Sequence, residues 1–332
     1  MTNCRGARLI AMDWGTSSCR AYLMGEGGVV LAQRRQPSGT MAVTRRASAT
    51  ATPYGLAFEQ SFEEMCGGWL ETQPDLPVVA CGTVGSNHGW AEADYRPVPA
   101  DLAAEGIVLT RVRTRAGVTV HIIPGLIANS ALPDVMRGEE TQILGVLTNS
   151  RRAGTLDYAS ECIVLLPGTH SKWVRVTGTT VNDFTTYMTG EVYAFLTDDS
   201  ILSRLAVRAD QPDWMAFDRG LDVVRSPAGH GGVLHTVFSA RSLVITGELA
   251  PDQVEDYISG LLIGHELAAI DPAWLADEPN AILLCGDAKL NDRYRRALER
   301  LGLHVALAVP GSAPLGMWEI AQVTGLLTLV TL

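Results

Sequence analysis

Short apolar runs separated by tight polar turns organise the chain from its start. Leu9-Ile10-Ala11-Met12 and Ala21-Tyr22-Leu23-Met24 flank the polar stretch Asp13-Trp14-Gly15-Thr16-Ser17-Ser18-Cys19-Arg20. That pattern predicts a β-hairpin, and Val29-Val30-Leu31-Ala32 adds a third strand to make a meander. Residues 36–53, rich in Ser, Thr, Gly and Pro, read as a loop. Helix-spaced apolar residues follow from Leu56 to Leu70. The short strand at residues 77–81 runs into the glycine-rich loop Gly82-Thr83-Val84-Gly85-Ser86-Asn87-His88-Gly89-Trp90. Residues 91–106 look irregular, strands are predicted at 107–112 and 118–123, and a helix opens near Arg137.

The polar stretch 151–160 marks a domain boundary, and beyond it the opening pattern returns. Cys162-Ile163-Val164-Leu165-Leu166 predicts a buried strand, Pro167-Gly168-Thr169-His170-Ser171-Lys172 a polar turn, and residues 173–176 and 181–184 two more strands. Strand, Gly-Thr turn, strand, strand thus occurs twice, about 155 residues apart. Helices are predicted from Met188 to about residue 268, then a strand at 281–285, a helix at 289–301, a strand at 305–309 and a last helix at 315–330. The order predicts an α/β protein of two domains.

The composition, 47% hydrophobic and 19% charged, supports sizeable cores. A formal net charge of −10 argues against nucleic acid or an anionic membrane as the main partner. No apolar run is long enough to span a bilayer, and no signal peptide is legible, so a cytoplasmic protein is expected. Six scattered cysteines without C-x-x-C spacing read as free thiols, and the seven histidines show no ligand spacing.

The candidate chemistry sits in the turns. Gly15, Thr16 and Ser17 offer backbone N–H groups and hydroxyls suited to holding a phosphate. Asp13 reads as an unpaired carboxylate aimed at the same place. A carboxylate beside a phosphate is repulsive unless a cation stands between them, which points to Mg²⁺. The plain alternative is an ordinary hairpin with a glycine turn. The 82–90 loop, at the C-terminal end of a strand, lies where α/β proteins place ligands. Glu139 and Glu140 read either as first-turn acids favoured by the helix dipole or as carboxylates facing a cleft.

Two meanders with Gly-Thr turns, followed by a strand-glycine-helix unit, resemble the sugar kinase–actin superfamily, whose two related domains face each other across a nucleotide cleft. Asp13-x-Gly15-Thr16 resembles its first phosphate loop, Gly168-Thr169 its second, and Leu284-Cys285-Gly286-Asp287 its adenosine loop. The helices at about 137–150 and 315–330 resemble the interdomain pair, with residues 1–136 and 151–314 as the two actin-like domains. Six strings narrow the match: Asp13-Trp14-Gly15-Thr16, Val84-Gly85-Ser86-Asn87-x-Gly89-Trp90, residues 136–142, Pro167 to Val174, Asn182-Asp183-Phe184 with Met188-Thr189-Gly190-Glu191, and Ser259 to Gly264. Together they resemble the 2-keto-3-deoxygalactonate kinases; Asp287-Ala288-Lys289 departs from the adenosine-loop pattern.

The resemblance implies transfer of phosphate from ATP to the 6-hydroxyl of 2-dehydro-3-deoxy-D-galactonate, in galactonate breakdown. It implies Asp13 at Mg²⁺, and Gly15, Thr16, Ser17, Gly168, Thr169 and Gly286 at the nucleotide. Lys172 is either a charge on the phosphates or a solvated lysine. The base is Glu139 or Glu140, with Asp134 and Asp183 in reserve. Arg137, then Arg20, are the candidates for the substrate carboxylate, a buried Arg137–Glu salt bridge being the plain alternative. Thr83, Ser86 and Asn87 would meet sugar hydroxyls. The gluconate epimer as substrate, an exopolyphosphatase-like activity and a nucleotide-holding module without transfer stay open. The partner is a small sugar acid, with a homodimer left open.

Overall fold

A central strand flanked on both sides must be apolar on both faces, and the first strand is built that way. Leu9, Ile10, Ala11, Met12 and Trp14 are all buried. In the computed structural model, which describes residues 6–157, 161–276, 281–307 and 312–327, the chain divides into two units. The first takes the described residues up to 157 together with 176–184 and 312–327; the second takes 161–175 and the described residues from 185 to 307.

The first unit begins with the predicted meander: β1 (Ala7–Trp14), β2 (Cys19–Gly25) and β3 (Val30–Gln36). Residues 36–53 are not all loop: α1 (Thr40–Thr50) forms there, before α2 (Tyr54–Leu70). Its buried residues Thr40, Val43 and Ala47 recur at helical spacing. The stripe is short and small, so Ser and Thr content hid it. β4 (Val78–Cys81) lies parallel to β1. The irregular 91–106 stretch contains β5 (Tyr95–Pro97) and β6 (Ala100–Asp101). β7 (Thr110–Arg113) and β8 (Thr119–Ile122) follow as predicted. β9 (Gly125–Ala128) and β10 (Asp134–Met136), three or four residues each, were too short to show a period. α3 (Glu139–Arg152) closes this stretch.

The main sheet runs β3-β2-β1-β4-β8-β7. α2 packs Phe58, Phe62, Met65 and Trp69 against Ile10, Met12 and Trp14 of β1. Trp90 stacks on Phe58 at 6.4 Å and meets Trp14 edge-on at 6.0 Å, which anchors the 82–90 loop to the core.

The second unit is built on β11 (Glu161–Leu166), β12 (Ser171–Thr177), β13 (Thr180–Tyr187), β14 (Ile282–Leu284) and β15 (Val305–Leu307), in the order β15-β14-β11-β12-β13. That order, first strand between second and fourth, repeats β8-β4-β1-β2-β3. Val181, in the part of this hairpin that belongs to the first unit, pairs with Ala100 of β6. The helices are α4 (Thr189–Asp198), α5 (Trp214–Arg225), α6 (Val233–Thr236), α7 (Ser239–Ile245), α8 (Val254–Ala269), α9 (Pro272–Ala276) and α10 (Ala288–Glu299). Among the described residues no helix is long and apolar enough to cross a membrane.

α11 (Ser312–Val323) returns to the first unit and packs on α3. It begins three residues before the expected start and ends at Val323, so residues 324–327 are not helical as expected; 328–330 lie outside the described residues, as do 308 and 309 of the last expected strand. The two helices touch backbone to backbone. A β-carbon on Gly316 would strike the Thr141 carbonyl, and one on Gly145 the Ser312 carbonyl. A side chain at this crossing forces the helices apart. Gly316→Leu is therefore expected to cost at least the ~1–3 kcal/mol of core overpacking, read as a lower urea midpoint at unchanged slope. An unaltered midpoint would mean that the crossing tolerates separation.

Candidate active site

The parallel pair β1 and β4 ends with Asp13 opposite Cys81, and the loops that follow are the first unit's candidate site. The hairpin register places Asp13 across from Arg20. Their side chains pair at 3.2 Å, so Asp13 is not the unpaired carboxylate expected from the sequence. Burial pushes the Asp13 carboxyl above its usual range, and the Arg20 guanidinium pulls it partly back.

The Gly15–Ser18 turn is closed by the Gly15 N–H donating to the Ser18 carbonyl at 3.0 Å, which removes that amide from the expected phosphate donors. Thr16 and Ser17 are exposed. The first amides of α1 clamp the turn: Thr40 N donates to Gly15 O at 3.0 Å and Met41 N to Thr16 O at 3.2 Å. Thr83 is engaged too, its hydroxyl 3.0 Å from that of Thr40 and 3.4 Å from the Trp14 carbonyl. Ser86 Oγ donates to Thr83 O at 2.8 Å, while Asn87 is exposed. Three of these side chains therefore shape the loops before any ligand arrives.

α3 starts at a strained turn. Gly138 has φ +108, which a side chain would disfavour, and a β-carbon there would lie 3.0 Å from Gly82 Cα. Both glutamates turn back on the turn: Glu139 Oε2 accepts the Arg137 N–H at 3.0 Å, and Glu140 Oε2 accepts the Gly138 N–H at 2.6 Å. Glu140 is 2% exposed and its Oε1 is buried without a hydrogen-bond partner. Burial, reinforced by Glu139, pushes its carboxyl up to about 8. Glu139 is half-buried. The reserves Asp134 and Asp183 each accept the N–H of the next residue.

Arg137 does not form the salt bridge to a glutamate that was the plain alternative for it. It donates Nη2 to the Ala93 carbonyl at 2.6 Å and lies 4.2 Å over the Tyr95 ring. Its Nε and Nη1 are buried without hydrogen-bond partners. A β-carbon on Gly85 would be 3.0 Å from that Nη1, so the glycine makes room for the guanidinium.

In the second unit, the Gly168-Thr169 turn is seated by α4. The Glu191 N–H donates to Thr169 O at 2.9 Å, and Gly190 packs against the Gly168 carbonyl. His170 Nε2 lies 2.5 Å from Glu191 Oε2. The organising group is one that sequence reasoning missed. Glu266 of α8, 3% exposed, accepts from Ser171 Oγ at 2.8 Å, Trp173 Nε1 at 2.7 Å, Tyr294 Oη at 2.7 Å, and the Thr189 hydroxyl. The available signal was a glutamate in an otherwise apolar helical run. Lys172 is buried, not solvated, and donates to Thr186 Oγ1 at 2.7 Å. Gly286 lies against the Pro167 carbonyl, where a β-carbon would come within 3.0 Å. Asp287 caps α10 by accepting the Lys289 N–H, which accounts for its place in that loop.

A cleft of about 310 Å³ opens beside Gly168, Thr169 and Gly190, walled by Leu262 and Ile263 of α8 and by Leu290 and Arg293 of α10. Among the described residues, no three acidic, His or Cys side chains converge on a metal position. Among the described residues Cys19, Cys66 and Cys81 are buried free thiols.

The repeated strand order, with a Gly-Thr turn after the first strand of each copy, defines the actin-like class of α/β kinase folds. The sequence model described as 2-keto-3-deoxy-galactonokinase matches residues 13–320, and the chain belongs to that family. It is 35% identical to the 2-dehydro-3-deoxygalactonokinase of Escherichia coli (strain K12), over 92% of this chain and 94% of that protein. A Rhizobium meliloti (strain 1021) protein provisionally given the same name is 34% identical, over 89% of this chain and 90% of its own. A crystal structure from Sinorhizobium meliloti, provisionally described as the same kinase, superimposes with a TM-score of 0.76 at 33% identity, covering 95% of this chain and 98% of its own.

The Glu140 carboxyl sets a pH dependence whose sign follows from its raised value. The fold favours the protonated acid, so its contribution is complete below the ordinary value of 4.5 and is lost as the pH rises through about 8. Glu140→Gln should flatten the fall in Tm between pH 5 and pH 8.5 and leave the variant more stable than the parent at the upper end. Equal slopes in both proteins would show that Glu140 titrates normally.

Proposed function

We propose that the chain transfers the γ-phosphoryl group of ATP to the 6-hydroxyl of 2-dehydro-3-deoxy-D-galactonate, giving the 6-phosphate and ADP. One observation carries the reading: the family match over residues 13–320 takes in both Gly-Thr turns and both glutamates of α3. The first unit takes the sugar acid, and the second the nucleoside end of ATP.

Asp13 would hold Mg²⁺. One carboxylate, completed by nucleotide phosphates and water, is an ordinary setting for this ion, and Asp13 fits because its pairing with Arg20 leaves the carboxylate half-buried at the strand end. When bound, the ion neutralises charge on the phosphates. The candidates for the phosphates are the Thr16 and Ser17 amides in the first unit and, separately, Gly168 and Thr169 in the second.

Of the two glutamates, we assign the base to Glu139. A base must reach the proton it removes, and Glu139 is half-buried whereas Glu140 is enclosed. Glu140 instead holds the Gly138 turn. Arg137 takes the carboxylate of the sugar acid. Its buried, unpartnered Nε and Nη1 are donors that want an acceptor. The protein's net charge of −10 gives an anionic substrate no general attraction, so a local cation is required. Asn87, exposed in the 82–90 loop beside His88, meets a sugar hydroxyl. A kinase of this kind, using cellular ATP and carrying free thiols, works in the cytoplasm.

ADP release from the parent protein and from Arg137→Lys, over the galactonate and gluconate keto-acids, glucose and polyphosphate, tests this. The parent should turn over the galactonate derivative and leave polyphosphate untouched. Arg137→Lys should lose roughly 10- to 150-fold in kcat/KM for the acid, the worth of one hydrogen bond from a charged donor, with little change in KM for ATP. Turnover of glucose or polyphosphate in place of the acid contradicts the assignment; an unchanged kcat/KM in the variant moves the carboxylate to Arg20.

A further inference from the structure

In the second unit, α6 and α7 leave an apolar stripe open to solvent. The two helices form one nearly continuous rod. Across their join the Val237 N–H donates to Val233 O at 3.0 Å and the Ser242 N–H to Phe238 O at 3.2 Å. The inner face of the rod is filled: Thr236 and Ala240 are buried, and Val237 and Val244 pack on the cluster around Tyr257 of α8. The Ser239 hydroxyl lies 2.6 Å from that of Tyr257, and Thr236 Oγ1 2.7 Å from His265 Nε2, also on α8. The rod is thus fixed and cannot turn its outer face inward. That outer face carries Leu234, 89% exposed, Phe238, 58%, and Ile245, 66%, with the half-buried Arg241 among them. Single exposed apolar residues are ordinary. These four recur at spacings of 4, 3 and 4, which lines them up on one side of a helix.

We infer that the chain forms a two-fold dimer in which α6 and α7 pair antiparallel with the same helices of a second copy. The stripe is its own complement. A two-fold axis midway between Phe238 and Arg241 is also midway between Leu234 and Ile245. It therefore sets Leu234 against the partner's Ile245, an apolar contact, and Phe238 against the partner's Arg241, where a guanidinium meets an aromatic face. Parallel pairing would instead set Arg241 against the partner's Arg241. A stable pair buries about 800 Å² on each partner, and three side chains this free of cover supply its apolar centre. The net charge of −10 disfavours an anionic membrane as the alternative cover. The inference does not depend on which reaction the protein catalyses.

Sedimentation velocity across the micromolar range tests this. The parent should run as a dimer. Leu234→Asp and Ile245→Lys each place an unmatched charge at two symmetry-related contacts and should weaken the dimer roughly 1,000-fold. Both positions are exposed, so each variant should fold as a monomer with parent-like circular dichroism. An equimolar mixture of the two variants should recover a dimer holding one copy of each. In that dimer the introduced acid and base face each other, and the second contact keeps Leu234 on the partner's Ile245. A parent that is monomeric throughout overturns the inference, as does a parent dimer that both variants leave intact. Variants that each run as monomers and stay so when mixed overturn it too, because the antiparallel pairing requires their recovery.

Discussion

A buried carboxylate has to be surrounded by donors, and Glu266 shows how far that requirement reaches. Its oxygens gather β12 through Ser171 and Trp173, α4 through Thr189, and α10 through Tyr294. Removing the carboxylate would leave several donors unmatched in the interior, which is costlier than never having placed them there. The elements so gathered carry the Gly168-Thr169 turn and wall the cleft beside it. The Gly168-Thr169 turn of the second unit is thus held by a polar network in the core.

The first unit solves the same problem with backbone. Its turn after β1 is clamped by the amides of α1 and by the hydroxyls of Thr40 and Thr83. The close approach of Gly82 and Gly138 then brings the start of α3 beside the end of β4. Two copies of one strand order therefore keep the position of the turn and differ in what secures it.

Much of this was legible in the sequence. The recurring apolar run with a Gly-Thr turn gave both meanders, and the glycines at 82, 138, 168 and 286 sit where backbones meet or turn. The failures have definite causes. α1 was hidden because its buried face is Thr40, Val43 and Ala47, too small and weakly apolar to stand out in a Ser/Thr-rich stretch. The Asp13–Arg20 pair follows from the hairpin register, which the turn length fixes but periodicity alone does not. Glu266 and Arg293 act on partners 93 and 37 residues away, Trp173 and Asp256, and no local pattern announces such pairings. The salt bridge that was the plain alternative for Arg137 is not formed: Glu139 accepts the Arg137 backbone N–H, and two guanidinium nitrogens are buried without a partner.

Phosphorus and carbon NMR of a reaction containing the protein, ATP, Mg²⁺ and 2-dehydro-3-deoxy-D-galactonate tests the central claim most directly. A phosphate monoester coupled to the C6 protons of the sugar acid, appearing in equal amount with ADP, is the result this account predicts. Inorganic phosphate without a sugar ester, or a monoester at a different carbon, would contradict it.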